Sequence, residues 1–190
     1  MYAKVAAAGT EPKKIVFFYN RDTLFNDVSL MTNYMAKNLS TKDGNALTDD
    51  FAISDDERDL VNVSVRSALP DIYEAMTKIT NSVIPAFDDS VTETAGVKGK
   101  DISGNNVNIT SGDYVEFQLL DNDAYNANVI SIVDASLYNC IKYGTLKEIY
   151  STIVNPDFFK ISAERFVAEL FKLKQRLFQL KKKSVVSNLT

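Results

Sequence analysis

At 190 residues, 45% of them hydrophobic and 24% charged, the chain has the make-up of a folded domain with one sizeable core and is too short for two domains of ordinary size. It holds no histidine and a single cysteine, Cys140, which removes Ser-His-Asp and Cys-His catalysis, histidine-bearing zinc or iron sites, thiolate clusters and any intrachain disulfide. The net charge of −4 is unevenly divided, with +6 on the residues from Lys160 onward and −10 on residues 1–159, and an acidic body of that kind repels a nucleic-acid backbone.

Residues 1–14 contain no apolar run of signal-peptide length, and nowhere does the chain approach the ~20 consecutive apolar residues of a membrane span, so it reads as cytosol-made. Lys14 to Tyr19 (Lys-Ile-Val-Phe-Phe-Tyr) is an extended apolar run beside Lys13. It suits either a strand of a small sheet or an N-terminal arm, residues 1–19, that adds to the sheet edge of a neighbouring chain. Phe17, Phe18 and Tyr19 are therefore candidate subunit-interface residues.

From Asp22 to Leu39 the apolar residues Leu24, Phe25, Val28, Met31, Met35 and Leu39 share one helical stripe, with Asp22 as a possible N-cap. After a polar loop around Ser40 to Asp50, Ser54 and Glu57 match a capping box, and Asp55, Asp56 and Glu57 place negative charge in a first turn. The second helix that starts there carries Val65, Leu69, Ile72, Met76, Ile79 and Val83 at alternating spacings of four and three, a seam that lies along another helix. Pro70 either kinks this helix or restarts it; the continuous phase of the stripe favours a kink.

Between Pro85 and Asp123 the helical period disappears. Asn106–Thr110 and Tyr114–Leu120 read as short strands joined by Ser111-Gly112-Asp113, a β-hairpin inserted between helices two and three. A lone hairpin is marginally stable, so it needs a partner: Lys14–Tyr19, another chain, or the surface of the helices. In the same region Gly96-Val97-Lys98-Gly99-Lys100 has the wrong spacing for a phosphate loop, with Asp101 where a magnesium-binding hydroxyl belongs, and reads as a flexible turn.

A third helix is expected over about Ala124 to Thr152, with Ile130, Val133, Leu137, Ile141 and Ile149 on one side and Cys140 as a buried thiol. Gly144 within it costs about 1 kcal/mol relative to Ala. Asn155-Pro156-Asp157 ends that helix, and Ser162 can cap a fourth, in which Phe166, Leu170, Leu173, Leu177 and Leu180 repeat at four and three, widened by Val167, Phe171 and Phe178. The loop of roughly ten residues between the last two helices makes them antiparallel neighbours, and helices one and two pair similarly. The fold expected is mainly α: one domain over residues 1–190, an antiparallel four-helix bundle that buries its own stripes without help from the hairpin or the arm.

No catalytic, cofactor or metal site emerges. The acidic clusters Asp49-Asp50, Asp55-Asp56-Glu57, Asp88-Asp89 and Asp121 with Asp123 lack the spacing of a calcium loop. Most of the nine Tyr and eleven Phe fall at core spacings and are not interleaved with Lys or Arg as in an RNA-stacking surface, the exception being Phe17-Phe18-Tyr19 beside Lys13-Lys14. The tail lysines Lys181, Lys182 and Lys183 are read first as the charged end of the last helix, where cations suit the macrodipole, and second as an attraction for a polyanion.

The opening from Lys14 to Val28, the capped helix after Phe51 to Arg58, the strand-bearing insertion, and Ser136 to Tyr150 ahead of an amphipathic last helix together resemble head-to-tail connector or ring proteins of tailed phages, in the style of crAss-like and other phages of Bacteroidetes. The resemblance implies a non-enzymatic virion subunit, repeated around a ring, often twelvefold. Such a ring docks beneath the portal, meets adjacent tail or ring proteins, and lets genomic DNA pass without specific binding. It brings no catalytic residues and no cofactor. It implies that residues 1–19, the insertion 85–123 and the basic tail 181–190, with Lys181, Lys182 and Lys183, grip neighbouring subunits. The alternative expectation is another helical interaction protein without catalysis, a different virion component or a bacterial adaptor.

Overall fold

A computed structural model of the chain describes residues 1–8, 13–37, 52–80, 83–84, 96–101, 103–121, 125–153 and 155–181. Its strands are β1 (Tyr2–Val5), β2 (Lys14–Asn20), β3 (Val83–Ile84), β4 (Val97–Lys100), β5 (Asn106–Ile109) and β6 (Tyr114–Leu120). Its α-helices are α1 (Arg21–Lys37), α2 (Arg58–Thr80), α3 (Ala127–Thr152) and α4 (Pro156–Lys181), with a short 3-10 turn at Asp55–Glu57 ahead of α2. The strands form one sheet in the order β3-β6-β2-β1-β4-β5, and every neighbouring pair is antiparallel.

This sheet corrects the expected helical bundle: the fold is mixed α/β. Lys14 to Tyr19 is no free arm. It is an interior strand, paired with β1 on one side and along its whole length with β6 on the other, from Lys14 opposite Leu120 to Asn20 opposite Tyr114. The strands read at Asn106 and Tyr114 exist, yet they do not form a hairpin with each other. β5 pairs with β4, and β6 is held between β2 and β3. Val83, counted in the seam of helix two, belongs to β3.

Period-two alternation explains why the sheet needs helices. Ile15, Phe17 and Tyr19 of β2 and Val115, Phe117 and Leu119 of β6 project to one side, and all are buried in the same cluster as the helical stripes. Tyr73 of α2 stacks on Phe117 at 5.0 Å, and Tyr138 of α3 stacks on Tyr19 at 5.6 Å. Four helices wrapped on one another would leave that face wet, at about 25 cal/mol for each Å² of apolar surface exposed. The other face carries a smaller core of Ala3, Val16, Phe18 and Ile109, closed by Val5, Val97, Val107 and Tyr114. β2 is thus covered on both sides, and removing residues 1–19 would open both cores.

Gly99 explains the residues that had read as a flexible turn. They form β4, and a Cβ at Gly99 would stand 2.5 Å from the Lys4 carbonyl oxygen and 3.0 Å from the Ala3 Cβ, so only glycine admits β1 at that crossing.

The helix signals hold with shifted ends. α1 is capped by Asn20, whose Oδ1 accepts from the Thr23 amide at 2.9 Å, while Asp22 pairs with Arg58. The capping box is present: the Glu57 carboxylate accepts from the Ser54 amide at 2.8 Å. α2 runs unbroken through Pro70, whose side chain is exposed, so the helix does not restart there. α3 begins at an Asn126 cap, with Asn126 Oδ1 accepting from the Asn128 amide at 3.1 Å.

Helix α4 starts six residues before Ser162. Asn155 Oδ1 accepts from the Phe158 amide at 3.1 Å and Pro156 occupies the first helical position, leaving Ser162 buried in the helix interior. The connection from α3 to α4 is therefore three residues, 153–155. The two helices lie antiparallel, closed at the far end by the Asn126 amide donating to the Leu180 carbonyl at 2.8 Å. α2 packs on both, whereas α1 packs on α3 and β2 more than on α2, which corrects the expected pairing of helices one and two. Gly144 sits where α2, α3 and α4 meet: a Cβ there would lie 2.8 Å from the Ala68 Cβ and 3.1 Å from the Phe166 ring.

Candidate functional site

Buried side chains dispose of most sequence candidates. Phe17, Phe18 and Tyr19 are 0%, 2% and 4% exposed. Phe17 faces the helices beside Tyr2, Phe18 faces the smaller core edge-on to Tyr114, and none of the three presents a surface to another chain. Cys140 is buried, and burial first, Glu169 second, pushes its thiol up to about 12, far from a nucleophile at neutral pH. Lys181 is the last residue of α4, and Lys182 and Lys183 lie outside the described residues. So do Asp49, Asp50, Asp88, Asp89 and Asp123. Among the described residues no group of three or more Cys, Asp or Glu is placed to hold a metal ion, and no helix is long and apolar enough to cross a membrane.

Among the described residues, two clefts gather ionisable side chains. One, of about 470 Å³, is lined by Phe18, Tyr19, Thr23, Tyr114, Asp134 and Tyr138 among others. The Tyr19 hydroxyl donates to Asp134 Oδ1 at 2.9 Å, and the Tyr138 hydroxyl donates to Asp27 at 2.6 Å. Burial first, and then the neighbouring carboxylate in each case, raises both phenol pKa values, so neither ionises near neutrality. These bonds clamp α1 and α3 to the end of β2. A proton-transfer site needs groups that titrate near the working pH, and these phenols do not.

The second cleft, of about 490 Å³, lies where β1 meets β4 and gathers Lys4, Lys13, Lys98 and Lys100 with Asp101 and Asp121. Lys4 stands opposite Lys100 in the sheet register, a repulsive placement relieved on one side by Asp121 at 3.7 Å. Asp101 is engaged by its own loop: its carboxylate accepts from the Ser103 and Asn105 amides and from the Asn105 side chain, which holds it below the usual carboxylate range. β1 and β4 are both interior strands, so this cleft marks a lightly bridged seam inside the sheet and not its edge.

The third feature is a surface. α4 buries Phe158, Phe166, Leu173, Leu177 and Leu180 against the rest of the domain. Val167, Phe171 and Phe178, expected to widen that stripe, are instead 64%, 61% and 57% exposed on the opposite side of the helix. Leu30 and Tyr34 form a smaller exposed pair on α1. The sequence held a signal for the α4 surface that the core reading absorbed. Positions 160, 164, 167, 171, 174 and 178 repeat at four and three, forming a second seam beside the buried one, and one helix inside a single domain has no use for two.

Compared with protein-family profiles, with curated proteins and with solved structures, the chain matches none.

Proposed function

We propose that this chain is a non-catalytic structural subunit of a tailed-phage head-to-tail connector, made in the bacterial cytoplasm and carried in the virion at the junction of head and tail. Its partners are copies of itself, the portal, adjacent tail or ring proteins, and the genomic DNA that passes without specific binding. The observation that supports this reading is the large apolar side chains exposed on separate helices, Leu30 of α1 and, as the largest group, Val167, Phe171 and Phe178 of α4. Water-exposed rings of that size are a cost to an isolated domain and a resource for a subunit with neighbours on two sides. The net charge of −10 on residues 1–159 suits a body that must not hold DNA. The strands of residues 1–19 and of the insertion lie within the sheet, and the tail from Lys182 lies outside the described residues.

Immunogold labelling tests the assignment. Antibodies raised against the purified chain should decorate the neck of tailed particles from its source culture, one cluster per particle. Particles that carry no label, with the protein left in the soluble fraction, would return the chain to the class of non-virion interaction proteins.

A further inference from the structure

The outward seam of α4 runs Asp157, Lys160, Glu164, Val167, Phe171, Lys174, Phe178, with Lys181 next in sequence. The spacings alternate three and four throughout, and every residue from Asp157 to Phe178 in the seam is exposed. This is the pattern of a helix that lies along a second helix; among the described residues no element covers Val167, Phe171 or Phe178, and Lys174 is near enough to Glu74 of α2 to act on its carboxyl. The charges along it are arranged about a midpoint: acidic Asp157 and Glu164 before Val167, basic Lys174 and Lys181 after Phe171.

We propose that the occupant of this seam is α4 of a second copy of the chain, packed antiparallel about a two-fold axis between Val167 and Phe171. In that register Val167 meets Phe171 of the other copy, and Phe171 meets its Val167. Glu164 meets Lys174 of the other copy, the aliphatic stem of Lys160 lies over Phe178 of the other copy, and Asp157 aligns with position 181. Each contact occurs twice. Parallel packing would set Glu164 against Glu164 and Lys174 against Lys174, so charge chooses the antiparallel form, which also opposes the two helix dipoles. A two-fold contact closes on itself. It therefore makes pairs. One helix per copy is a small interface, so the pair forms in the micromolar range.

The proposal rests on the chain being an assembly subunit and not on the particle it serves. Light scattering on a size-exclusion column, across the micromolar range, should show the 21.2 kDa chain passing to a dimer as concentration rises. Phe171→Glu should leave it monomeric with unchanged helical circular dichroism. Glu164→Lys alone and Lys174→Glu alone should each weaken the dimer about tenfold, since each swap turns two attractive contacts into repulsive ones. The two swaps together should restore it. A wild-type chain that stays monomeric, a dimer indifferent to Phe171→Glu, or a double swap no better than the singles would each overturn the pairing. A monomeric chain that still labels at the particle neck defeats this inference alone, and a dimer absent from particles defeats the connector assignment alone.

Discussion

Strand β2 and helix α4 are both rich in large apolar residues, and the fold treats them in opposite ways. Every side chain from Ile15 to Tyr19 is buried, on both faces of the strand. On α4 the inner row, from Phe158 to Leu180, is buried and the outer row, with Val167, Phe171 and Phe178, stands in water. The difference is one of geometry. A strand has two faces a side-chain length apart, and here the helices close one while β1, β4 and β5 close the other. A helix is a cylinder about 10 Å across, and a domain of this size wraps less than its full circumference. Apolar content thus makes β2 a keystone and makes α4 half core, half exposed surface.

Truncating one ring in each region gives the widest separation. Phe17→Ala should cost about 3–5 kcal/mol in urea-unfolding free energy, as a large buried ring lost from a packed core. Phe171→Ala, measured at a concentration where the chain is dilute, should change it by less than about 0.5 kcal/mol. Equal effects would erase the contrast between the two elements.

Alkaline unfolding reports on the same core. Burial first, then Glu116, lifts the Tyr73 phenol to about 12, burial lifts Tyr150 to about 12, and Tyr19 at the end of β2 is raised well above its ordinary value. A group that holds its proton more tightly when folded contributes stability that is complete below the unfolded pKa of about 10 and is lost as pH rises through the folded value. Stability should therefore be flat across neutral pH and fall steeply between about pH 10 and pH 12, with tyrosinate absorbance rising together with loss of helix. Tyrosinate absorbance from all nine tyrosines near pH 10, with the helices intact, would show that the β2 side of the core is wetter than described.

Gly144→Ala probes the inner face of α4. Propensity alone predicts a gain of about 1 kcal/mol in a helix interior. The added methyl would stand 2.8 Å from the Ala68 Cβ, so the three-helix contact must spread, and a net loss of about 1–3 kcal/mol is expected by thermal unfolding. The smallest effect lies at the junction of β2 with α1. Asn20→Ala should cost about 1 kcal/mol by removing the cap, and Asp22→Ala should stay within about 0.5 kcal/mol because its ion pair with Arg58 is exposed.

How much of this was legible differs by element. The four helices were readable from their stripes, because each buries one side and the period of the buried residues survives in the sequence. Their caps were less so: Asn20, Asn126 and Asn155 each lie just outside the stripe they start, and Asp22 and Ser162 are equally good N-cap residues by type. Three of the six strands were readable, Asn106 and Tyr114 as strands and Lys14 as a strand or an arm, but β1, β3 and β4 were not, and neither was the pairing. Sequence adjacency favoured β5 with β6, whereas β6 carries an apolar row, Val115, Phe117 and Leu119, that matches Ile15, Phe17 and Tyr19 residue for residue across nearly a hundred intervening positions. The α4 surface was present as a second seam and was hidden by the assumption that an apolar residue on a helix is a core residue.

By itself, then, the sequence determined where the four helices lie and where two of the strands, at Asn106 and Tyr114, are extended, that no histidine or thiolate-cluster chemistry is available, and that the charge is divided between an acidic body and a basic end. Only the tertiary structure decided which apolar rows face each other. That choice depends on which surfaces remain uncovered once every element has packed, a property of the assembled layers and of no single segment. It turned residues 14–20 from an arm into the middle of a sheet and the outer row of α4 from core into exposed surface.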